Sequence, residues 1–256
     1  MGTRLLLQEL TREEARTAAP EALAIFPVGA TEQHGPHLPV YTDSFTVEHI
    51  ARAAAAEAAK QIPVLVTPTM PFGSSQHHLP FGGTMSLDTD TYFRASYDLA
   101  ESLITGGFRR IFILNGHGGN HELVQLVARD LALHHPANVA AGSYWTVAWD
   151  ALIEVQAHAF GRFPGHAGVY ETSHILALRP DLVRTPLPHR EATGGTDPRA
   201  LVRPYRGEVH GFWQDINGFT DCPDRADADR GRTYLAAASR AVAKAFVEFY
   251  QVALAR

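Results

Sequence analysis

The chain predicts an α/β fold: a mostly parallel sheet covered by helices on both faces. Two observations lead there. Short apolar runs at 22–28, 62–67, 110–114 and 139–143 alternate with longer helical stretches at 42–60, 88–105 and 120–134, and strands joined through helices pair in parallel. The length, 256 residues of which 45% are hydrophobic, is enough for a substantial core.

Each element has its own local reason. Residues 22–28 are unbroken apolar chain ended by Gly29, which reads as a buried strand. The alanine-rich segment 42–60 reads as a helix, with Asp43 or Ser44 placed to cap it. Residues 62–67, bounded by Pro63 and Pro68, form the next strand, and a polar, glycine-containing loop occupies 71–87. The helix at 88–105 stops at Gly106 and Gly107. A buried strand at 110–114, apolar from Ile111 to Leu114, runs into a glycine-rich turn and a helix at about 120–134, followed by a fourth strand at 139–143. Residues 171–178 look helical up to Pro180, and 231–254 form a long amphipathic C-terminal helix. Between them, 185–228 is rich in Pro, Gly and Asp, the composition of a lid, a binding loop or an oligomer contact. With no repeat or low-complexity linker, residues 1–256 are expected to form one domain.

Bulk properties narrow the function. A net charge of −5 provides no cationic surplus for phosphates, so no nucleic acid partner is expected. Cys222 is the single cysteine, which excludes an intrachain disulfide. The first residues lack the apolar core of a signal peptide, no stretch is long enough to span a bilayer, and no membrane partner is expected. A cytoplasmic location follows as the expectation. Fourteen histidines stand out, because imidazole is both a common metal ligand and a common proton carrier.

Three segments carry chemistry. Glu32 and His34 follow the first strand two positions apart, so both side chains of extended chain point to one face, and Asp43 opens the next helix with two oxygens able to bridge a pair of metals. An N-cap role for Asp43 is the competing reading. The strand at 110–114 delivers His117 into the turn Gly116-His117-Gly118-Gly119-Asn120, where glycines permit close approach to a crowded site. A phosphate cradle is the competing reading there, but neither G-x-G-x-x-G nor a following Lys-Ser/Thr is present. The third segment sets His166 in a turn and Glu171 near a helix start, where a carboxylate is favourable in any case. Two near-misses are set aside: the helix opening His121-Glu122 has Gln125 in place of a second zinc-protease histidine, and no G-x-S-x-G occurs.

Together these segments resemble the creatininase family. Its E-Q-H-G-x-H-L-P pattern with a downstream Asp matches Glu32 to Asp43, its N-G-H-x-x-N matches Asn115 to Asn120, and its H-[AG]-G-x-x-E-T-S matches His166 to Ser173. A fourth stretch, His77 to Leu87, resembles H-x-x-F-P-G-T-x-S-L, with Gly82 where proline is usual. The resemblance implies a three-layer α/β/α sandwich, a hexameric homo-oligomer, and two divalent metal ions per subunit (Zn, Mn or Fe). By position it implies that Glu32, Asp43 and His117 hold one metal and His34 with bridging Asp43 the other. In the creatinine-cleaving members a glutamate two positions after the His117 equivalent completes the second set. Here that position is Gly119, and Glu171 is the natural replacement. The implied activity is hydrolysis of a C–N bond in a small cyclic amide by a metal-activated water, with His166 as the acid and Glu171 as ligand or water-orienting carboxylate. Asn120 and His37 are expected to orient the ligands, and Ser143-Tyr144-Trp145 matches a segment that places an aromatic near the family's substrate pocket. A formamidopyrimidine, a cyclic diketone or a peptide as substrate, and a non-catalytic metal-binding role, remain as alternatives, with pocket residues in 70–87, 144–149 and 205–222 deciding among the substrates.

Overall fold

The structure is a computed structural model that describes residues 5–190 and 209–254. Strands β1 (Leu23–Val28), β2 (Val64–Val66), β3 (Arg110–Asn115) and β4 (Asn138–Ser143) form one sheet in the order β2-β1-β3-β4. All three pairings are parallel. Val28 pairs with Asn115, and Asn115 with Ser143, so three carboxyl ends finish level and their loops emerge side by side. The carboxyl edge of such a sheet is where open α/β folds place ligands.

The principal helices are α1 (Arg12–Ala18), α2 (Thr42–Ala58), α3 (Thr89–Thr105), α4 (His121–His134), α5 (Val169–Leu178) and α6 (Ala228–Leu254). Alternation along the strands assigns them to two layers. Leu23, Ile25, Phe112 and Leu114 pack with Ile50 and Ala54 of α2 and with Leu235, Val242 and Phe246 of α6. The intervening Ala24, Phe26, Ile111 and Ile113 pack with Tyr92 and Ala100 of α3 and with Val124 and Leu131 of α4. This is the three-layer α/β/α sandwich. Each large side chain fully buried in these layers contributes about 1.5–3 kcal/mol.

Several boundaries differ from the sequence expectation. The second strand keeps only Val64–Val66, because the flanking Pro63 and Pro68 have no N–H to give a ladder. A 3-10 turn, Gly118–Asn120, precedes α4. The last helix starts at Ala228, ahead of Gly231, where an added Cβ would collide with the Ser173 carbonyl of α5. Gly231 therefore marks a helix–helix contact rather than a helix start. Helix α1 was not anticipated; its seven residues are too few for periodicity, but Thr11 and Glu14 form a capping box. Of the loop expected over 185–228, residues 191–208 lie outside the described residues. Part of the remainder folds as the short helix Phe212–Asp215, entered through Gly211 at φ 77°.

Candidate metal centre

The level strand ends bring the chemistry-bearing segments together. The loop after β1 supplies Glu32 and His34, the first turn of α2 supplies Asp43, and the turn after β3 supplies His117. Helix α5 begins at Val169, so Glu171 sits in its first turn, just beyond the loop carrying His166. The cap expected from Asp43 or Ser44 is absent. Tyr41 occupies the N-cap position without a side-chain bond. Ser44 Oγ instead donates to the Ala30 carbonyl at 2.9 Å, which leaves the Asp43 carboxylate free to enter the site.

Asp43 lies between two imidazoles. Its Oδ2 is 2.9 Å from His117 Nδ1 and its Oδ1 is 3.1 Å from His34 Nε2. Glu32 Oε1 stands 3.3 Å from His117 Nδ1, and Glu171 Oε2 stands 3.6 Å from His34 Nε2. His166 Nδ1 is 3.6 Å from Glu32 Oε1. All six sequence-selected residues thus converge. His34, Asp43 and Glu171 offer donor atoms within 4.8 Å of one another, and Glu32, His77 and His117 offer a second such trio. The sequence placed His77 in the fourth stretch but not among the ligands.

The chain's own carbonyls orient the rings. His34 Nδ1 is 3.2 Å from the Glu32 carbonyl, and His117 Nε2 is 3.1 Å from that of Ser74. Each imidazole sets one nitrogen against a carbonyl and turns the other toward the carboxylates, the usual arrangement behind a metal-ligating histidine. Asn120 and His37, expected to do this, do something else. Asn120 accepts from Ser74 N–H at 2.9 Å and donates to the Gly29 carbonyl, while His37 Nε2 lies 2.9 Å from Thr172 Oγ1. They tie loops together and touch no candidate ligand through these bonds. Asp221, which the sequence did not single out, accepts from the N–H groups of Arg162 and Val169 and anchors the His166 loop against α5. Short motifs could not reveal it, because its partners are backbone groups more than fifty residues away.

Electrostatics supplies the test of whether a cation fits. Both carboxylate oxygens of Glu32, which is fully buried, have no hydrogen-bond partner. Buried, unpartnered carboxylate oxygens are costly unless a cation or proton joins them. Burial would raise the Asp43 carboxyl, but His34 and His117 hold it well below the usual range. Burial would likewise lower His34, yet Asp43, Glu171 and Glu32 push it up to about 10. His117 is raised well above its ordinary value for the same reason, against its burial. Burial pushes Glu171 up to about 8, with His34 opposing. Without a metal, the site therefore gathers protons on its histidines where divalent charge belongs. The donor set fits a divalent cation.

These residues floor a cavity of about 690 Å³ walled by Trp145, Trp213, His77 and Pro164. The wall draws on all three stretches expected to decide the substrate, insofar as they are described. At Gly119, an added Cβ would sit inside the Ser74 carbonyl and 2.5 Å from His117 Nε2. No side chain could project from there without moving His117 or the Ser74 carbonyl.

The family model described as creatininase, creatinine amidohydrolase, matches residues 8–246. Among curated proteins, creatinine amidohydrolase of Pseudomonas putida is 36% identical over 202 residues, covering 72% of this chain and 75% of that protein. The mycofactocin precursor peptide peptidase of Mycobacterium tuberculosis is 32% identical over 224 residues, covering 83% and 80% respectively. A crystal structure of creatinine amidohydrolase superposes with a TM-score of 0.76 at 29% identity, covering 96% of this chain and 98% of that one. Similar solved creatininases include one described as a zinc–zinc form and one as a manganese form.

Proposed function

The chain belongs to the creatininase family, whose hydrolases act on amide C–N bonds, and from that premise we propose that it cleaves the C–N bond of a small cyclic amide with two divalent cations. The observation that carries this is the position of Asp43, one carboxylate oxygen facing each of two imidazoles. Glu32, Asp43 and His117 would hold one cation; His34, Asp43 and Glu171 would hold the other. When bound, such cations supply Lewis acidity, lowering the pKa of water toward about 7 and polarising the scissile carbonyl.

The protein side of the reaction is binding, orientation and proton transfer. Trp145 and Trp213 offer flat apolar walls to a ring substrate, and the buried floor keeps bulk water from the carboxylates. His166 lies against Glu32, and burial together with the neighbouring His34 holds it well below its ordinary pKa. A neutral imidazole so placed accepts the proton released as water attacks, then delivers it to the departing nitrogen, a poor leaving group unless protonated. Glu171 acts as a ligand, and its nearness to His34 also lets it orient water.

A second reading, cleavage of a peptide C–N bond, is favoured by the similarity to the mycofactocin precursor peptide peptidase over 83% of the chain and by a cavity larger than a single small ring requires. In either case we read residues 1–256 as one domain acting in the cytoplasm as a homo-oligomer, a hexamer by family likeness. Among the described residues no helix is long and apolar enough to cross a membrane.

The test is metal content beside activity. Purified protein should hold a divalent metal, Asp43→Ala should lose most of it, and a panel of cyclic ureas, lactams, formamides, cyclic ketones and short peptides should find one hydrolysed class. Protein that holds no metal and gains no activity from any added metal would overturn the proposal. Turnover of a cyclic ketone alone would replace C–N with C–C cleavage.

A further inference from the structure

His166 is carried by irregular chain: residues 155–168 contain neither helix nor strand. On either side of it, Gly165 and Ala167 have φ of 69° and 49°. The second value lies in the left-handed region that alanine seldom enters. A backbone of this kind persists only where surrounding groups fix it.

Those groups are two consecutive buried residues, Thr220 and Asp221, more than fifty positions further along the chain. Thr220 takes both main-chain groups of His166. Its N–H donates to the His166 carbonyl at 2.9 Å, and its Oγ1 accepts from His166 N–H at 3.0 Å. Asp221 closes the loop at its ends, where Oδ2 accepts from Arg162 N–H and Oδ1 accepts from Val169 N–H at 2.8 Å. The loop leaves room for this carboxylate and nothing more. A Cβ added at Gly161 would lie 2.7 Å from Asp221 Oδ2, and one at Gly168 would overlap Oδ1. Start, middle and end of the loop thus converge on one dipeptide.

The same stretch of chain reaches the His166 ring. Trp213 meets it edge-on with ring centroids 5.2 Å apart. The Gly218 carbonyl accepts from Gln33 Nε2 at 3.0 Å, which ties the stretch to the loop bearing Glu32 and His34.

We propose that Thr220 and Asp221 are positioning residues, a clasp that holds the His166 loop so that Nδ1 stands against Glu32 and the proton carrier faces the metal centre. The consequence for turnover rests on the hydrolase reading, whereas the clasp itself concerns the loop alone. The clasp bonds run to Arg162, His166 and Val169 and to no candidate metal ligand. Its loss should therefore spare metal binding and strike proton transfer. Removing a general structural support would instead lower metal content and turnover together.

The experiment uses zinc-loaded wild type and three variants, Thr220→Val, Thr220→Ser and Asp221→Asn. Valine keeps the shape of threonine but removes the acceptor of the His166 N–H, and serine restores it. Asparagine leaves one acceptor oxygen for two N–H groups. Hydrogen exchange read by mass spectrometry on peptides covering 161–169 should be about 10-fold faster in Thr220→Val and Asp221→Asn, the scale of one buried donor left unpaired. Thr220→Ser should exchange as wild type does, and all three should keep their zinc. On the panel compound that wild type hydrolyses, kcat should fall at least about 10-fold in Thr220→Val and Asp221→Asn with KM within about 3-fold. Thr220→Ser should recover it. Wild-type exchange over 161–169 in both variants would overturn the proposal, as would wild-type kcat in both, zinc lost along with turnover, or Thr220→Ser as slow as Thr220→Val. If Asp221→Asn does not fold, the two Thr220 variants decide. If wild type hydrolyses no compound, the hydrolase reading fails and the exchange rates still decide the clasp.

Discussion

Gly119→Ala probes how tightly the turn after β3 is built around His117. The added Cβ would lie 2.5 Å from His117 Nε2 and closer still to the Ser74 carbonyl. Ordinary van der Waals contact between such atoms needs about 3.5 Å or more, so the imidazole or the Ser74 loop must move by roughly 1 Å. Overpacking of this kind costs about 1–3 kcal/mol, which for a chain of this size is a fall of roughly 2–10 °C in Tm. The same displacement breaks the His117–Ser74 bond that aims Nδ1 inward. Losing such an orienting partner typically lowers metal affinity about 10–100-fold. Gly118→Ala is the internal control, since a Cβ there meets nothing within 4 Å. Thermal melts and competitive chelator titrations should therefore separate the two adjacent glycines. Gly119→Ala with the Tm and metal affinity of wild type would refute the reasoning, as would equal losses in Gly118→Ala.

Three further outcomes follow from the same structure. His166→Ala should keep its metal while kcat falls at least ~100-fold, the scale of lost proton-transfer help; full turnover, followed by steady-state kinetics, would move the proton to another group. Metal loading at neutral pH should release protons, because His34 is raised to about 10 and His117 is raised well above its ordinary value. The His34 contribution to the metal-free protein is complete below about pH 6.5 and lost as pH rises through about 10, so metal-free protein should weaken across that window while its metal affinity increases. Calorimetry in buffers of different ionisation enthalpy reads the released protons, and none released would refute the charge assignment. His174 is fully buried with no partner on either ring nitrogen, and burial lowers it to about 3. A depressed histidine adds stability above about pH 6.5 that is lost as pH falls toward 3. Wild type should thus lose about 2 kcal/mol relative to His174→Leu between about pH 7 and about pH 5, read by urea unfolding at each pH; parallel pH curves would exclude it.

What the sequence determined by itself was periodicity and local chemistry. Unbroken apolar runs between helices were sufficient for a parallel sheet with two helical layers, because burial of alternate faces is a property of consecutive residues. Glu32, His34, Asp43 and His117 were legible because each sits in a short motif beside a strand end or helix start, whereas His166 and Glu171 were picked out through the family resemblance. Tertiary structure decided whatever depends on partners distant in sequence. It set Asp43 between two histidines instead of at a helix cap, and it made Asn120 and His37 loop ties. It also recruited the Ser74 carbonyl, Asp221 and the Gln33 amide as hidden supports. Hydrogen bonds to backbone groups leave no mark in residue identity, since every residue carries a carbonyl and only the folded register chooses which one faces an imidazole.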